Sequence, residues 1–143
     1  MVTLRFKKIH ENAIIPNYAT FGSSGFDFRC IEDVVVEPGK TELIGTGLIP
    51  EIEMGYEMQI RPRSGLSIKY NNYISNSPGT VDNDFRGEIK IIITNNTNKE
   101  IKFDKGDKIA QGVICPIVQC QIIQTDDVTD TERGEGGFNS TGK

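Results

Sequence analysis

Three stretches of the chain carry the residue types that phosphate and water chemistry need. The first is Arg61-Pro62-Arg63-Ser64-Gly65-Leu66, where guanidinium, hydroxyl and a glycine amide fall together at the start of a possible helix. Such groups all donate to an anion. The second runs from Asn76 to Glu88 and sets Asp82 beside the apolar Val81, followed by Asp84, Phe85 and Arg86. A carboxylate against an apolar wall with exposed backbone nearby suits a general base. A polar hairpin turn, satisfied by its own side chains, accounts for the same residues without any chemistry. The third is the glycine-rich run Arg133 to Lys143, whose successive amides can face one anion while Ser140 and Thr141 add hydroxyls. Its Gly137-x-x-x-x-Gly142-Lys143 matches most of a P-loop, but no strand precedes it and no helix follows. A phosphate-binding flap is the better account, and the isolated Phe138 either docks the tail on the core or belongs to a lid that closes on a ligand. Taken separately, none of the three outweighs its plain structural reading.

Strands must position these segments. Candidates are Leu4–Phe6, Phe26–Cys30, Val34–Val36, Glu42–Gly45, Tyr56–Ile60, Glu88–Thr94, Ile101–Phe103, Lys108–Cys115 and Val118–Ile123. Turn signals separate them: Pro38-Gly39, Pro50, Gly55, Asn71-Asn72, Pro78-Gly79, Asn95-Asn96 and Lys105-Gly106. Many short β-branched runs at close spacing predict an all-β sandwich or barrel rather than βαβ units. Only Ser64–Tyr70 has room for a short helix. From Thr125 to Lys143 apolar residues almost vanish, so a mobile tail (125–143) is expected behind a β domain (1–124).

Composition narrows the function further. With 143 residues the chain has room for one domain, and its net charge of −4 argues against a protein that coats nucleic acid. No apolar run approaches a membrane span, and the N-terminus lacks the apolar core of a secretory signal. A single histidine, His10, excludes multi-histidine zinc sites. Three cysteines without a CxxC exclude a disulfide scaffold and suggest a reducing, cytoplasmic setting. Cys115 and Cys120 lie in β-like apolar sequence and are expected as buried, inert thiols.

Taken together and in order, the segments resemble the five motifs of the trimeric dUTP diphosphatases. Ser24-Gly25-Phe26-Asp27-Phe28 is similar to the first and Pro62-Arg63-Ser64-Gly65-Leu66 to the second. Gly79-Thr80-Val81-Asp82-Asn83-Asp84-Phe85-Arg86-Gly87-Glu88 resembles the third, Lys105-Gly106-Asp107-Lys108-Ile109-Ala110-Gln111 the fourth, and Arg133 to Gly142 the fifth. The resemblance implies a small β-barrel or jelly-roll-like subunit of the β-clip kind. It also implies a homotrimer whose three active sites lie at subunit interfaces, with the tail closing on a neighbour's site.

The reaction implied is dUTP plus water giving dUMP and pyrophosphate, which supplies dUMP for dTMP synthesis and keeps uracil out of DNA. In the same reading Asp82 activates the attacking water, and Gln111 lies near that water and the α-phosphate. Arg63, Ser64 and Gly65 hold the phosphates, with Arg133, Ser140 and Thr141 closing on the γ end. Mg²⁺ chelates the triphosphate and meets Asp27 through its waters. Uracil is read by backbone near Gly79, Thr80 and Val81, by the Lys90 position and by the Asn76 side chain. Phe138 stacks on the base, and Phe85 packs on the deoxyribose.

The chain departs from the family pattern at Phe85, usually tyrosine, at Lys108, usually arginine, and at Asn139, usually glycine. Lysine does not fork as arginine does, whereas asparagine tolerates left-handed backbone, so flap affinity is touched more than chemistry. Two other readings stand beside the hydrolase: a dUTP-binding regulatory protein using the flap as a ligand switch, and a relative of the dCTP deaminases.

Overall fold

The computed structural model describes residues 2–71 and 73–137. Ten strands and one helix follow in the order β1 (Leu4–Lys8), β2 (Phe26–Arg29), β3 (Val34–Val36), β4 (Thr41–Gly45), β5 (Leu48–Ile52), β6 (Tyr56–Arg61), α1 (Ser64–Tyr70), β7 (Gly79–Val81), β8 (Lys90–Thr94), β9 (Ile101–Phe103) and β10 (Lys108–Pro116). All named pairings are antiparallel. One sheet runs β2-β10-β6-β7, and three strand pairs, β1-β5, β3-β9 and β4-β8, complete the fold. The fold is all-β and jelly-roll-like with a single short helix, as the sequence predicts. No helix among the described residues is long and apolar enough to cross a membrane.

Period-two alternation sorts the side chains. On β6, Met58 and Ile60 point into the core while Glu57, Gln59 and Arg61 face outward. On β8, Ile91 and Ile93 are fully buried. Phe6, Phe26 and Phe28 meet edge to face at centroid distances between 5.6 and 6.2 Å, the geometry aromatic quadrupoles favour. The buried Asn95 is fully employed: its side-chain amide donates to the Val36 and Lys99 carbonyls at 2.7 Å, and its oxygen accepts from the Thr97 amide at 2.9 Å.

Two strands escape the sequence reading. β5 runs through Pro50, which the sequence marks as a turn, but β5 has a ladder partner on one side only. No second neighbour asks for the N–H that proline lacks. β7 starts at Gly79, also expected as part of a turn. Conversely, 118–123 is not a strand: Val118 and Ile122 are 90% and 95% exposed, and the segment forms no ladder among the described residues. The cysteines also correct the expectation, since Cys30 is buried, Cys115 half-buried and Cys120 exposed; all three are free thiols.

The β2-β10 ladder carries one irregularity with functional weight. Lys108 pairs with Arg29 and Ala110 with Phe28, so Ile109 is an extra residue. In a regular strand Lys108 and Gln111, three apart, would face opposite sides. The bulge puts both on the face that carries Asp27.

Candidate active site

The outer face of the four-stranded sheet holds the first group of predicted site residues. Asp27 stands opposite Gln111, and Gln111 opposite Arg61, so three polar side chains cross the sheet in register. At the end of β6 the chain turns into α1 through Pro62 and Arg63. Arg63 is the residue before the helix, extended at φ −88° and ψ 133°, and its carbonyl accepts from Leu66 at 3.1 Å and Ser67 at 2.9 Å. The amides of Ser64 and Gly65 therefore lie ahead of the first helical hydrogen bonds.

This turn is pinned from several sides. Arg63 Nε donates to Asp27 Oδ1 at 2.9 Å, and Lys108 Nζ lies 2.7 Å from Asp27 Oδ2. Gln111 donates its amide Nε2 to the Pro62 carbonyl at 2.9 Å. Its oxygen lies against Gly25, where a Cβ would overlap it, which gives the first motif's glycine a packing reason. Asp27, Arg63, Ser64, Gly65, Leu66 and Gln111 line one open recess of about 320 Å³. Partial burial works to raise the Asp27 pKa, but the hydrogen bond from Lys108 and the charge of Arg63 outweigh it. The carboxyl is held below its ordinary value, so the recess keeps two cations fixed by one anion.

The second group gathers elsewhere. Asn76, Gly79, Thr80, Val81, Asp82, Phe85 and Lys90 line a recess of about 190 Å³, together with Ile60, Glu88, Ile89 and Ile92. Its floor is apolar and its rim polar, as small-molecule sites are built. β7 is the edge strand of its sheet, so one side of its backbone is free of ladder bonds and can offer N–H and C=O groups to a ligand. A Cβ on Gly79 would lie 2.9 Å from Asn76 Nδ2, so only glycine lets the Asn76 amide approach β7 this closely. Asp82 leaves the end of β7 and is exposed at the mouth; its carbonyl accepts from the Phe85 amide at 3.2 Å. Arg86 braces the turn by donating to the Asn83 and Phe85 carbonyls at 2.7 and 2.9 Å.

The two recesses share no lining residue: within this chain Asp82 and Gln111 line different ones. Arg133 lines neither: it is exposed and donates Nε to the Gly136 carbonyl at 2.7 Å within its own turn. Phe138, Asn139, Ser140 and Thr141 lie outside the described residues. Two contributors were missed from sequence. Glu88 anchors the connection between β7 and β8 by accepting the Gly47 amide at 2.9 Å, with Lys90 Nζ 3.8 Å from its other oxygen. Tyr73, fully buried, accepts the Arg63 amide on its hydroxyl at 2.9 Å. Nothing in local sequence marks either, because both act on residues far away along the chain.

A jelly-roll-like subunit with an edge-strand recess and a separate cationic turn has the build of a nucleotide-binding β protein. A family model described as dUTPase matches residues 11–142. A deoxyuridine 5'-triphosphate nucleotidohydrolase of Nautilia profundicola is 53% identical over 140 residues, 98% of this chain and 99% of that protein. A Staphylococcus bacteriophage 80alpha dUTPase mutant solved with dUpNHpp superimposes with a TM-score of 0.90 at 28% identity, covering 99% of each chain. A mutant dUTPase of phage phi11, solved to reveal coordination of a structural Mg(II) ion, superimposes at 0.79 with 26% identity, over 87% of this chain and 97% of that one. The chain belongs to the dUTPase family.

Proposed function

We propose that this chain hydrolyses dUTP to dUMP and pyrophosphate by attack of water on the α-phosphorus, at sites assembled between copies in a homotrimer. The observation that carries the reading is the convergence of Asn76, Gly79, Thr80, Val81, Asp82, Phe85 and Lys90 on one base-sized recess with a carboxylate at its mouth. Open β7 backbone and the Asn76 amide offer matched donors and acceptors to a uracil edge. Cytosine would leave some of them unpaired, and that loss is the source of selectivity. Phe85, 41% exposed, supplies a flat wall for the sugar. Because Asp82 and Gln111 line separate recesses, one copy's base recess must meet another's cationic turn to complete a site.

In the completed site Asp82 orients the water and takes its proton, a role worth about 10²–10⁴-fold. Gln111 is neutral and donates an amide proton near the α-phosphate without titrating. Arg63, Ser64 and Gly65 hold the phosphate oxygens, and the tail (125–143) closes over them through Arg133, Phe138, Asn139, Ser140 and Thr141. No group of three or more His, Cys, Asp or Glu side chains converges among the described residues. That donor set fits Mg²⁺ carried in by the triphosphate, with Asp27, whose oxygens already accept from Arg63 and Lys108, reaching it only through water. The bound ion supplies charge neutralisation on the triphosphate.

The test is pyrophosphate release from dUTP, dCTP, dTTP and UTP with Mg²⁺, for the wild type and Asp82→Asn. Release from dUTP alone, lost in the variant, is the expected result. Binding of dUTP without turnover would support the regulatory reading, and conversion of dCTP to a uracil product the deaminase one.

A further inference from the structure

We propose that Tyr73 is a positioning residue for the phosphate-binding turn, its buried hydroxyl fixing the backbone of Arg63. The inference rests on reading Arg63–Gly65 as the phosphate cradle. Tyr73 is fully buried and lies between α1 and β7. Its carbonyl accepts the Thr94 amide at 2.8 Å, and the next residue, Ile74, bridges to Ile93. The backbone at Tyr73 is thus anchored on β8, and the side chain's Oη accepts the Arg63 N–H at 2.9 Å.

Arg63 is the junction where β6 gives way to α1, and its backbone N–H and C=O, Nε and Nη1 are all engaged. Its carbonyl starts the helix, Nε meets Asp27, and Nη1 donates to the Lys108 carbonyl at 3.4 Å. Those contacts set the side chain and the following helix, while the Tyr73 hydroxyl and the Gln111 amide hold the Pro62–Arg63 peptide from its N–H and carbonyl sides, one peptide ahead of the Ser64 amide. Without the tyrosine acceptor that peptide is held on its carbonyl side alone, and the turn loses part of the fixed aim that preorganised donors need. Burial raises the Tyr73 pKa above its ordinary value, so the hydroxyl is a neutral acceptor through the working pH range.

The experiment compares inhibition of dUTP hydrolysis by inorganic pyrophosphate and by deoxyuridine in the wild type, Tyr73→Phe and Arg63→Gln. Phenylalanine keeps the packing and removes only the acceptor. Tyr73→Phe is expected to weaken pyrophosphate inhibition about 5- to 20-fold and to leave deoxyuridine inhibition within about twofold. Equal weakening of both ligands, the mark of a general packing defect, would overturn the proposal, as would no change in either. If Arg63→Gln weakens pyrophosphate and Tyr73→Phe does not, the inference fails and the cradle stands; if Arg63→Gln has no effect, the cradle itself fails. Should the phenylalanine variant not fold, amide hydrogen exchange on the wild type decides. Slow exchange at Arg63 supports the tyrosine bond, and exchange at the rate of a free amide overturns it.

Discussion

Asp27 and Gln111 stand opposite each other across the β2-β10 ladder, and both hold the turn between β6 and α1. Asp27 grips Arg63 at 2.9 Å, and Gln111 reaches the Pro62 carbonyl at the same distance. Replacing Asp27 with Asn keeps the shape and removes the charge that fixes Arg63 and Lys108. Charge-assisted bonds are about twice as strong as neutral ones. KM for dUTP is expected to rise about 3- to 10-fold while deoxyuridine binding is unchanged; steady-state kinetics with a deoxyuridine competition series measures both.

The separation of Asp82 from Gln111 predicts complementation. Asp82→Asn and Gln111→Ala should each be inactive alone. After subunits are exchanged by mild denaturation and refolding, an equal mixture should recover about one quarter of wild-type activity if each site takes one residue from each of two copies. A mixture that stays inactive would place both residues of a site in one copy.

Gly79→Ala is expected to damage the base recess more than the fold. The new methyl would sit 2.9 Å from Asn76 Nδ2 and 3.4 Å from Ile60 Cβ, so the amide must withdraw from β7. Overpacking of this kind costs about 1–3 kcal/mol. Calorimetry should show deoxyuridine affinity falling by more than that stability loss accounts for, with the thermal midpoint shifted by a few degrees at most.

Cys30 gives a pH-dependent probe of folding. Burial raises its thiol pKa above the ordinary 9.0, against smaller lowering by the Asp107 and Gly106 backbone. The folded state therefore favours the neutral thiol. Its contribution is complete below pH 9.0 and is lost as pH rises through the higher folded value, since only the unfolded chain ionises in between. Alkylation of Cys30 at pH 8 should follow global unfolding, whereas exposed Cys120 reacts in the native subunit unless assembly covers it; mass spectrometry of the labelled peptides separates them.

How much of this was legible in the sequence follows from the range of the forces involved. Helix Ser64–Tyr70 and strands such as Val34–Val36 and Ile101–Phe103 were readable because local pattern and turn residues define them. The clustering of Asn76 with Gly79 to Lys90 was readable because these residues are close in sequence, although the expected hairpin does not form: β7 pairs with β6 and β8 with β4. Tyr73 and Glu88 were not, because their meaning lies in bonds to Arg63 and Gly47, which only the folded chain brings close. The stretch 118–123 misled for a related reason: β-branched residues fit a strand, but a strand needs a partner edge, and the described part of one subunit offers it none.

The extra residue at Ile109 has a consequence for how this chain tolerates change. Upstream of it lies the turn Asp104–Asp107, itself closed by the Asp107 amide donating to the Asp104 carbonyl at 2.9 Å. Downstream, β10 is locked to two neighbours through Gln111 and Gly112. Deleting Ile109 would leave Lys108 and Gln111 two apart, so a regular ladder would keep both on the Asp27 face. Pairing the full-length strand without the bulge is what would turn Lys108 away and leave the carboxylate with one cation instead of two. The odd spacing of Lys108 and Gln111 therefore makes the bulge itself the condition under which both of these side chains serve the turn between β6 and α1.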